Sequence, residues 1–237
     1  MEMIQYAAAS HHLHPTGIAM HIGSQIREIS SFVQAAQLVT DLAIELKSGG
    51  LGLAYIDIGG GLGIDYGQAE SDLTASERDI KDWVNQVGRP VRTAGFRLKA
   101  EPGRSIMGAA GALVTQVTLA KFNQQKQFLI ADAGMNDLLR PPLYQAIHPI
   151  LPIKALNGTN QQTVDVVGPI CESSDFLGKD MALPIIRRGD RLAVMNAGAY
   201  GFAMSSNYNG RLRAAEVLVD GGSWRVIRSR QEYTDLI

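Results

Sequence analysis

The chain has 237 residues, of which 46% are hydrophobic and 19% charged, so it can bury one large core or two ordinary ones. A formal net charge of -1 gives no excess of positive charge for nucleic acid or an anionic membrane. The single cysteine, Cys171, excludes an internal disulfide and is typical of a reducing compartment. No apolar run reaches the ~18 residues of a membrane span, and the first residues lack the features of a secretory signal. We therefore expect a cytoplasmic protein.

The first half of the chain alternates predicted strands and helices. Apolar residues at three- and four-residue spacing predict the helices, and short apolar runs predict the strands. In chain order the elements are a helix ending near residue 12, a strand at 17–22, a helix at 31–47, a strand at 53–56, a helix at 76–87 that Gly88 and Pro90 end, and a strand at 96–100. Such alternation predicts parallel strands joined by right-handed crossovers.

Segments rich in polar, charged or glycine residues follow all three predicted strands. They are residues 21–25, the glycine-rich residues 57–63, and residues 101–104. In parallel sheets of this kind, ligands bind at the C-terminal ends of the strands. A glycine turn with consecutive free N–H groups suits a phosphate, although a tight turn without a ligand is an equally common reading of such a cluster. The shared placement of the three segments predicts a site at this edge of the sheet.

The second half of the chain changes to short β-branched or alternating runs that proline and glycine interrupt. A glycine turn inside residues 217–227 predicts a hairpin. The predicted strands cover residues 113–120, 128–131, 163–167, 191–195 and 214–219. We therefore expect an antiparallel β domain, with the boundary near residues 108–112.

Six motifs, in this order and over nearly the whole chain, resemble those of diaminopimelate decarboxylases, which use pyridoxal 5'-phosphate (PLP) and share the alanine racemase-like fold type. The motifs are HIGSQ at 21, DIGGGLG at 57, EPGRS at 101, ADAGMNDLLRPPLY at 131, GPICESSD at 168 and AGAYGFAMSSNYNGRLRAAEVLVDG at 197. The resemblance implies an α/β plus all-β fold. Residues 1–108 would form the last part of a PLP-binding (β/α)8 barrel, about three βα units, and residues 109–237 a C-terminal β-sandwich or barrel domain.

The resemblance also implies an activity and a cofactor site. Members of the family remove CO2 from meso-diaminopimelate and release L-lysine. Glu101 would face the pyridine nitrogen of PLP and keep it protonated, since a carboxylate favours an adjacent cation, and His21 would stack on the ring face. The full set of cofactor-binding residues implied is His21, Ser24, Gly60, Gly61, Glu101, Gly103, Arg104 and Tyr200.

Substrate contacts are implied in the same way. Arginine suits the carboxylate that stays on the substrate, because its planar fork binds a carboxylate bidentately. The substrate-binding residues implied are Arg104, Arg140, Tyr144, Glu172 and Tyr200, with Glu172 taking the distal ammonium. Cys171 would be the catalytic proton donor. In the family, Cys171 and Glu172 act on the cofactor of a neighbouring subunit, which implies a homodimer.

The family's cofactor-binding lysine lies in a motif like Tyr-Ala-x-Lys-Ala, which this sequence lacks. We therefore expect the chain alone to be inactive, as the C-terminal part of the enzyme. Three parallel strands cannot close a barrel, so unpaired edges and apolar strand faces would be exposed. The alternatives are another decarboxylase of the same fold, acting on arginine or ornithine, and a non-catalytic relative that regulates a decarboxylase.

Structural interpretations compete with these roles. By itself Cys171 is more often a small buried hydrophobe than an acid. We keep the structural interpretation for Asp175 and Asn207, which lie in the matching motifs. The histidines at 11, 12 and 14 lack nearby cysteines or carboxylates to complete a zinc site, so we predict no bound metal.

Overall fold

The computed structural model describes residues 2–67, 73–154 and 161–237. It divides into two compact units. The first unit contains the described residues up to 107 except residues 66 and 67, which belong with residues 108–237 in the second unit. Within the described part of the chain, no helix has the length and apolar character required to cross a membrane.

The first unit is a three-stranded parallel sheet with helices. Its elements are α1 (Glu2–Ala9), β1 (Gly17–Ala19), α2 (Ile29–Ser48), β2 (Tyr55–Asp57), α3 (Leu73–Thr93), β3 (Arg97–Lys99) and α4 (Arg104–Met107). The strands lie in the order β1-β2-β3, and both pairs are parallel. The predicted alternation and strand direction are therefore confirmed.

One face of this sheet packs against α2 and α3. Ile18, Ile56 and Leu98 lie side by side in register and join the core of the unit. Phe32 and Trp83 connect the two helices there, with ring centroids 5.7 Å apart in an edge-to-face arrangement. The side chains therefore fix how the helices cover the sheet.

The opposite face of the sheet is polar and aromatic. Because side chains alternate along a strand, Tyr55, Arg97 and Lys99 point away from the core residues Ile56 and Leu98. The Lys99 ammonium lies 3.5 Å from the centre of the Tyr55 ring, which gives a cation–π contact. The expectation of an exposed apolar strand face is wrong for this sheet, because charged residues occupy the alternate positions.

Helix α3 continues to Thr93, past the predicted stop at Gly88 and Pro90. A proline inside a helix removes one backbone hydrogen bond, but here only three residues follow it, so little helix is lost. A Cβ on Gly88 would lie 2.5 Å from Leu98 Cδ2. The glycine therefore serves close helix–strand packing and does not end the helix.

The second unit contains a six-stranded sheet and a separate hairpin. Its elements are β4 (Leu113–Phe122), β5 (Gln127–Ala131), α5 (Arg140–Tyr144), β6 (Ile150–Pro152), β7 (Gln161–Val167), β8 (Phe176–Pro184), β9 (Arg191–Val194), β10 (Glu216–Asp220) and β11 (Ser223–Arg228). The sheet order is β6-β9-β4-β5-β7-β8, and β10 pairs with β11. The predicted hairpin is confirmed, since Asp220 pairs with Ser223 across a two-glycine turn.

The six-stranded sheet is mixed, so the prediction of a purely antiparallel domain is wrong in one pair. Strands β5 and β7 run parallel, whereas their other pairings are antiparallel. The connection between them carries α5 and β6, and such a long crossover permits parallel pairing. Strands β6 and β8 were not predicted, because β6 has only three residues and ends in Pro152, while Gly178, Lys179 and Asp180 interrupt the apolar pattern of β8.

Candidate functional site

The segments that follow β1, β2 and β3 lie next to one another. The Glu101 N–H donates to the Gly59 carbonyl at 2.7 Å, and the Ile26 N–H donates to the Gly61 carbonyl at 3.0 Å. Ile26 and Leu62 also form an isolated parallel bridge. The three segments that the sequence placed at the strand ends therefore share one edge of the first unit.

Close approach of neighbouring backbone explains the glycines at this edge. Gly59 and Gly61 have φ of +68° and +100°, a region that favours glycine. A Cβ would lie 2.2 Å from the Met20 carbonyl oxygen at Gly59, 2.3 Å from that of Glu101 at Gly60, and 2.0 Å from that of Gly23 at Gly61. The glycines thus allow the chain after β2 to fit between its two neighbours.

Polar side chains of the motifs surround this glycine turn. The Arg104 guanidinium donates to Ser24 Oγ at 3.0 Å, which joins the segments after β1 and β3. The Gly60 N–H donates to His21 Nδ1 at 3.5 Å, a long hydrogen bond that brings the His21 ring to the glycine turn. The carboxylate-bearing Glu101 and the His21 ring are both exposed.

These residues fit PLP, which carries an anionic phosphate and a pyridine nitrogen that can be protonated. Arg104 and Ser24 supply a cation and a hydroxyl, and Glu101 supplies a carboxylate on the same unit. Ser105 follows Arg104 directly in the sequence. Within the described residues, its buried Oγ has no hydrogen-bond partner. A Cβ on Gly103 would contact nothing within 4 Å, so the backbone there is open.

The second unit holds Arg140 in a buried position at the start of α5. The residue is 6% exposed, and its Nη1 lies 2.9 Å from His148 Nε2. The Tyr66 ring centre lies 4.4 Å from Arg140 Cζ, a cation–π distance. Tyr144, one helical turn after Arg140, is 63% exposed. The sequence did not identify His148 or Tyr66, because both lie just outside the matching motifs and no periodic pattern marks them.

A loop that Asp175 fastens carries Cys171 and Glu172. The buried Asp175 carboxylate accepts the N–H groups of Met135 at 2.6 Å and Ile170 at 2.7 Å. A Cβ on Gly168 would lie 2.3 Å from an Asp175 carboxylate oxygen. These contacts support the structural interpretation of Asp175. Cys171 and Glu172 are exposed on this loop.

Tyr200 has a backbone conformation that is unusual for a tyrosine. Its φ is +62°, in the left-handed region, and the side chain is 41% exposed. Non-glycine residues held there cost about 1–3 kcal/mol and cluster at functional sites. The backbone conformation of Tyr200 therefore makes it a candidate for a functional role in the second unit.

Two arginines that were not predicted hold the segment after Tyr200. Arg213 donates to the Phe202 carbonyl at 2.8 Å and to Ser205 Oγ at 2.7 Å. Arg211 donates to Asn136 Oδ1 at 3.1 Å. Asn207 Nδ2 donates to the Arg211 carbonyl at 2.8 Å, which supports its structural interpretation. Both arginines lie in a matching motif, but that motif gave them no role.

In the part of the chain that the structure describes, no cluster of side chains is suited to bind a metal ion. No three histidine, cysteine, aspartate or glutamate side chains come together there. His11, His12 and His14 lie in the exposed segment between α1 and β1.

Burial raises the pKa of the Asp137 carboxyl above its ordinary value of 3.8, against the lowering effects of the Gly134 N–H and of Arg211 and Arg230. The folded state therefore binds this proton more tightly than the unfolded chain, and ionisation lowers stability. We expect Asp137→Asn to become progressively more stable than the wild type as the pH rises through the folded-state pKa. Urea unfolding at several pH values between 3.5 and 7 measures this difference.

A stability difference between Asp137→Asn and the wild type that stays constant over the whole range would contradict a buried, destabilising carboxylate.

The fold and these motif residues define a class of protein. Residues 18–198 match the family described as pyridoxal-dependent decarboxylase, C-terminal sheet domain, and the chain belongs to that family. Curated relatives that are similar to the chain include proteins named diaminopimelate decarboxylase. The protein from Aquifex aeolicus is 46% identical over 98% of this chain and 54% of its own length, and that from Archaeoglobus fulgidus is 44% identical over 94% and 53%.

Solved structures of known decarboxylases are also similar to this chain. Diaminopimelate decarboxylase from Helicobacter pylori, complexed with L-lysine, is similar with a TM-score of 0.88 and 39% identity, over 99% of this chain and 57% of that one. An arginine decarboxylase from Paramecium bursaria Chlorella virus is 21% identical with a TM-score of 0.72, over 84% of this chain and 53% of that one, which shows a shared fold alone. The chain spans about half the length of the relatives it matches.

Proposed function

We propose that this chain is part of a PLP-dependent decarboxylase that converts meso-2,6-diaminopimelate into L-lysine and CO2. The observation that carries the proposal is the buried Arg140 guanidinium, with Tyr144 one helical turn away. Diaminopimelate keeps a carboxylate after losing CO2, and a preorganised arginine suits that group. The diaminopimelate decarboxylases that are similar to most of this chain support the same assignment.

The first unit would hold most of the cofactor. PLP, when bound, supplies an electron sink for the pair left by departing CO2. Glu101 would keep the pyridine nitrogen protonated, because a carboxylate stabilises the adjacent cation. His21 would cover the ring face, while the phosphate would be held by Ser24, Gly60, Gly61, Gly103 and Arg104. Tyr200 would contribute a further contact from the second unit.

The second unit would hold and protonate the substrate. Arg104, Arg140 and Tyr144 would bind the retained carboxylate, with a further contact from Tyr200, and Glu172 would bind the distal ammonium. The Cys171 thiol would give its proton to the reacting carbon after CO2 has left. We propose that Cys171 and Glu172 serve the cofactor of a second subunit, so the active form would be a homodimer, and that the protein is cytoplasmic.

The test uses a hybrid enzyme, in which this chain is joined to the part of the Aquifex aeolicus enzyme that it does not match. CO2 release is measured with meso-diaminopimelate, arginine and ornithine in the presence of PLP. We expect turnover of diaminopimelate alone, with L-lysine as the product. The intact Aquifex aeolicus enzyme is the positive control, and the 237-residue chain by itself should release no CO2.

Other results would favour the alternatives. If kcat/KM is higher with arginine or ornithine than with diaminopimelate, the natural substrate is an amino acid with one carboxylate and the proposed substrate is wrong. A folded hybrid that binds PLP and turns over none of the three amino acids would overturn the enzymatic proposal. A regulatory relative would instead bind a decarboxylase subunit in a pull-down without PLP.

A further inference from the structure

We propose that His148 is a positioning residue for Arg140, acting as the hydrogen-bond acceptor that aims its guanidinium at the substrate carboxylate. This inference rests on the proposed function only for the identity of the carboxylate. The pairing itself is a contact between buried side chains of the second unit, since His148 is 1% exposed and Arg140 is 6% exposed.

The hydrogen bonds fix which ring nitrogen of His148 carries the proton. Arginine has only donors, so His148 Nε2 must accept the bond of 2.9 Å from Arg140 Nη1. His148 Nδ1, 2.8 Å from the Met195 carbonyl oxygen, must then donate its proton there. The imidazole is consequently neutral, with the proton on Nδ1. A protonated ring would have no lone pair to offer to Arg140.

An aromatic ring completes the arrangement. Tyr66 lies edge to face with His148, with centroids 5.2 Å apart, and the same ring lies 4.4 Å from Arg140 Cζ. One ring therefore contacts both partners, while the Met195 carbonyl orients the imidazole from the segment that follows β9. An arginine held at one end in this way loses less side-chain entropy when it binds a carboxylate.

Two substitutions separate the acceptor of His148 from its donor. In His148→Gln the side-chain oxygen reaches the position of Nε2 and can accept from Arg140. In His148→Asn the amide nitrogen replaces Nδ1 and can donate to Met195, but the side chain at position 148 no longer offers an acceptor to Arg140. In the hybrid enzyme we expect His148→Asn to raise KM for diaminopimelate about tenfold with kcat within about threefold, and His148→Gln to stay within about threefold of the wild type in both.

A merely structural histidine would give the opposite order, with His148→Asn tolerated and His148→Gln impaired. That order, or equal KM values in the two variants, overturns the proposal. The exposed His14→Asn is the matched control and should leave KM unchanged. In an Arg140→Lys background, His148→Asn should raise KM no further, because residues that act as a unit are not additive. A full additional tenfold increase would show that His148 acts independently of Arg140.

A measurement on the unsubstituted chain keeps the inference testable if the hybrid shows no turnover or the variants do not fold. Nitrogen NMR of the chain labelled with 15N at its five histidines reports the protonated ring nitrogen of each. We expect one buried histidine, assigned by its loss in His148→Gln or by through-space contact with Tyr66, to carry its proton on Nδ1. A proton on Nε2 of His148 would overturn the pairing, whereas failure of the proposed function would leave this result unchanged.

Discussion

Arg140→Lys in the hybrid enzyme should lower kcat/KM for meso-diaminopimelate about 100-fold, mainly through KM. Lysine keeps the positive charge but loses the planar fork that binds a carboxylate through two parallel hydrogen bonds. A factor of 100 corresponds to about 2.7 kcal/mol, within the range expected for lost hydrogen bonds to a charged group. The loss falls on KM because the retained carboxylate is bound alike in the ground state and the transition state.

Inhibition by two small molecules sharpens this experiment. L-lysine has a carboxylate, so Arg140→Lys should weaken its inhibition by about the same factor as it raises KM. The diamine 1,5-diaminopentane has no carboxylate, and its inhibition should not change. The exposed Arg188→Lys is the matched control. Unchanged kinetics in Arg140→Lys, or equal weakening of both inhibitors, would assign Arg140 to the structure of the second unit alone.

The strand edge could be predicted from the sequence because its signals are local. Short apolar runs followed by the segments at His21, Asp57 and Glu101 give strand direction and placement, and parallel pairing follows from the helices between them. The reason for the glycines could not be predicted in the same way. A Cβ on Gly60 would clash with the carbonyl oxygen of Glu101. These two residues are far apart in the chain, and only the register of the strands brings them together.

The surroundings of the candidate substrate-binding residue Arg140 could not be predicted from the sequence. Arg140 and Tyr144 are visible as a motif, but the motif does not show that Arg140 contacts His148 and also Tyr66, which lies 74 positions earlier (140 minus 66). His148 is a single histidine before a proline. It belongs to no periodic pattern of residues, and neither of its neighbours in the sequence is charged. The parallel pairing of β5 with β7 escaped prediction for a related reason, since strand partners are chosen by the whole sheet and not by the strand itself.

Gly61→Ala should destabilise the first unit far more than Gly50→Ala, although both glycines have a positive φ. Their φ values are +100° and +97°, so each alanine would carry conformational strain of about 1–3 kcal/mol. A Cβ on Gly61 would lie 2.0 Å from the Gly23 carbonyl oxygen, whereas a Cβ on Gly50 would contact nothing within 4 Å. Relief at Gly61 requires the backbone after β1 to move, which breaks the bond between the Ile26 N–H and the Gly61 carbonyl. Urea unfolding should therefore show about 3 kcal/mol or more of additional loss in Gly61→Ala, together with weaker PLP binding that Gly50→Ala does not share. Equal losses in the two variants would mean that the segments after β1 and β2 separate easily, and the close fit of the glycine turn would then not be what holds this edge together.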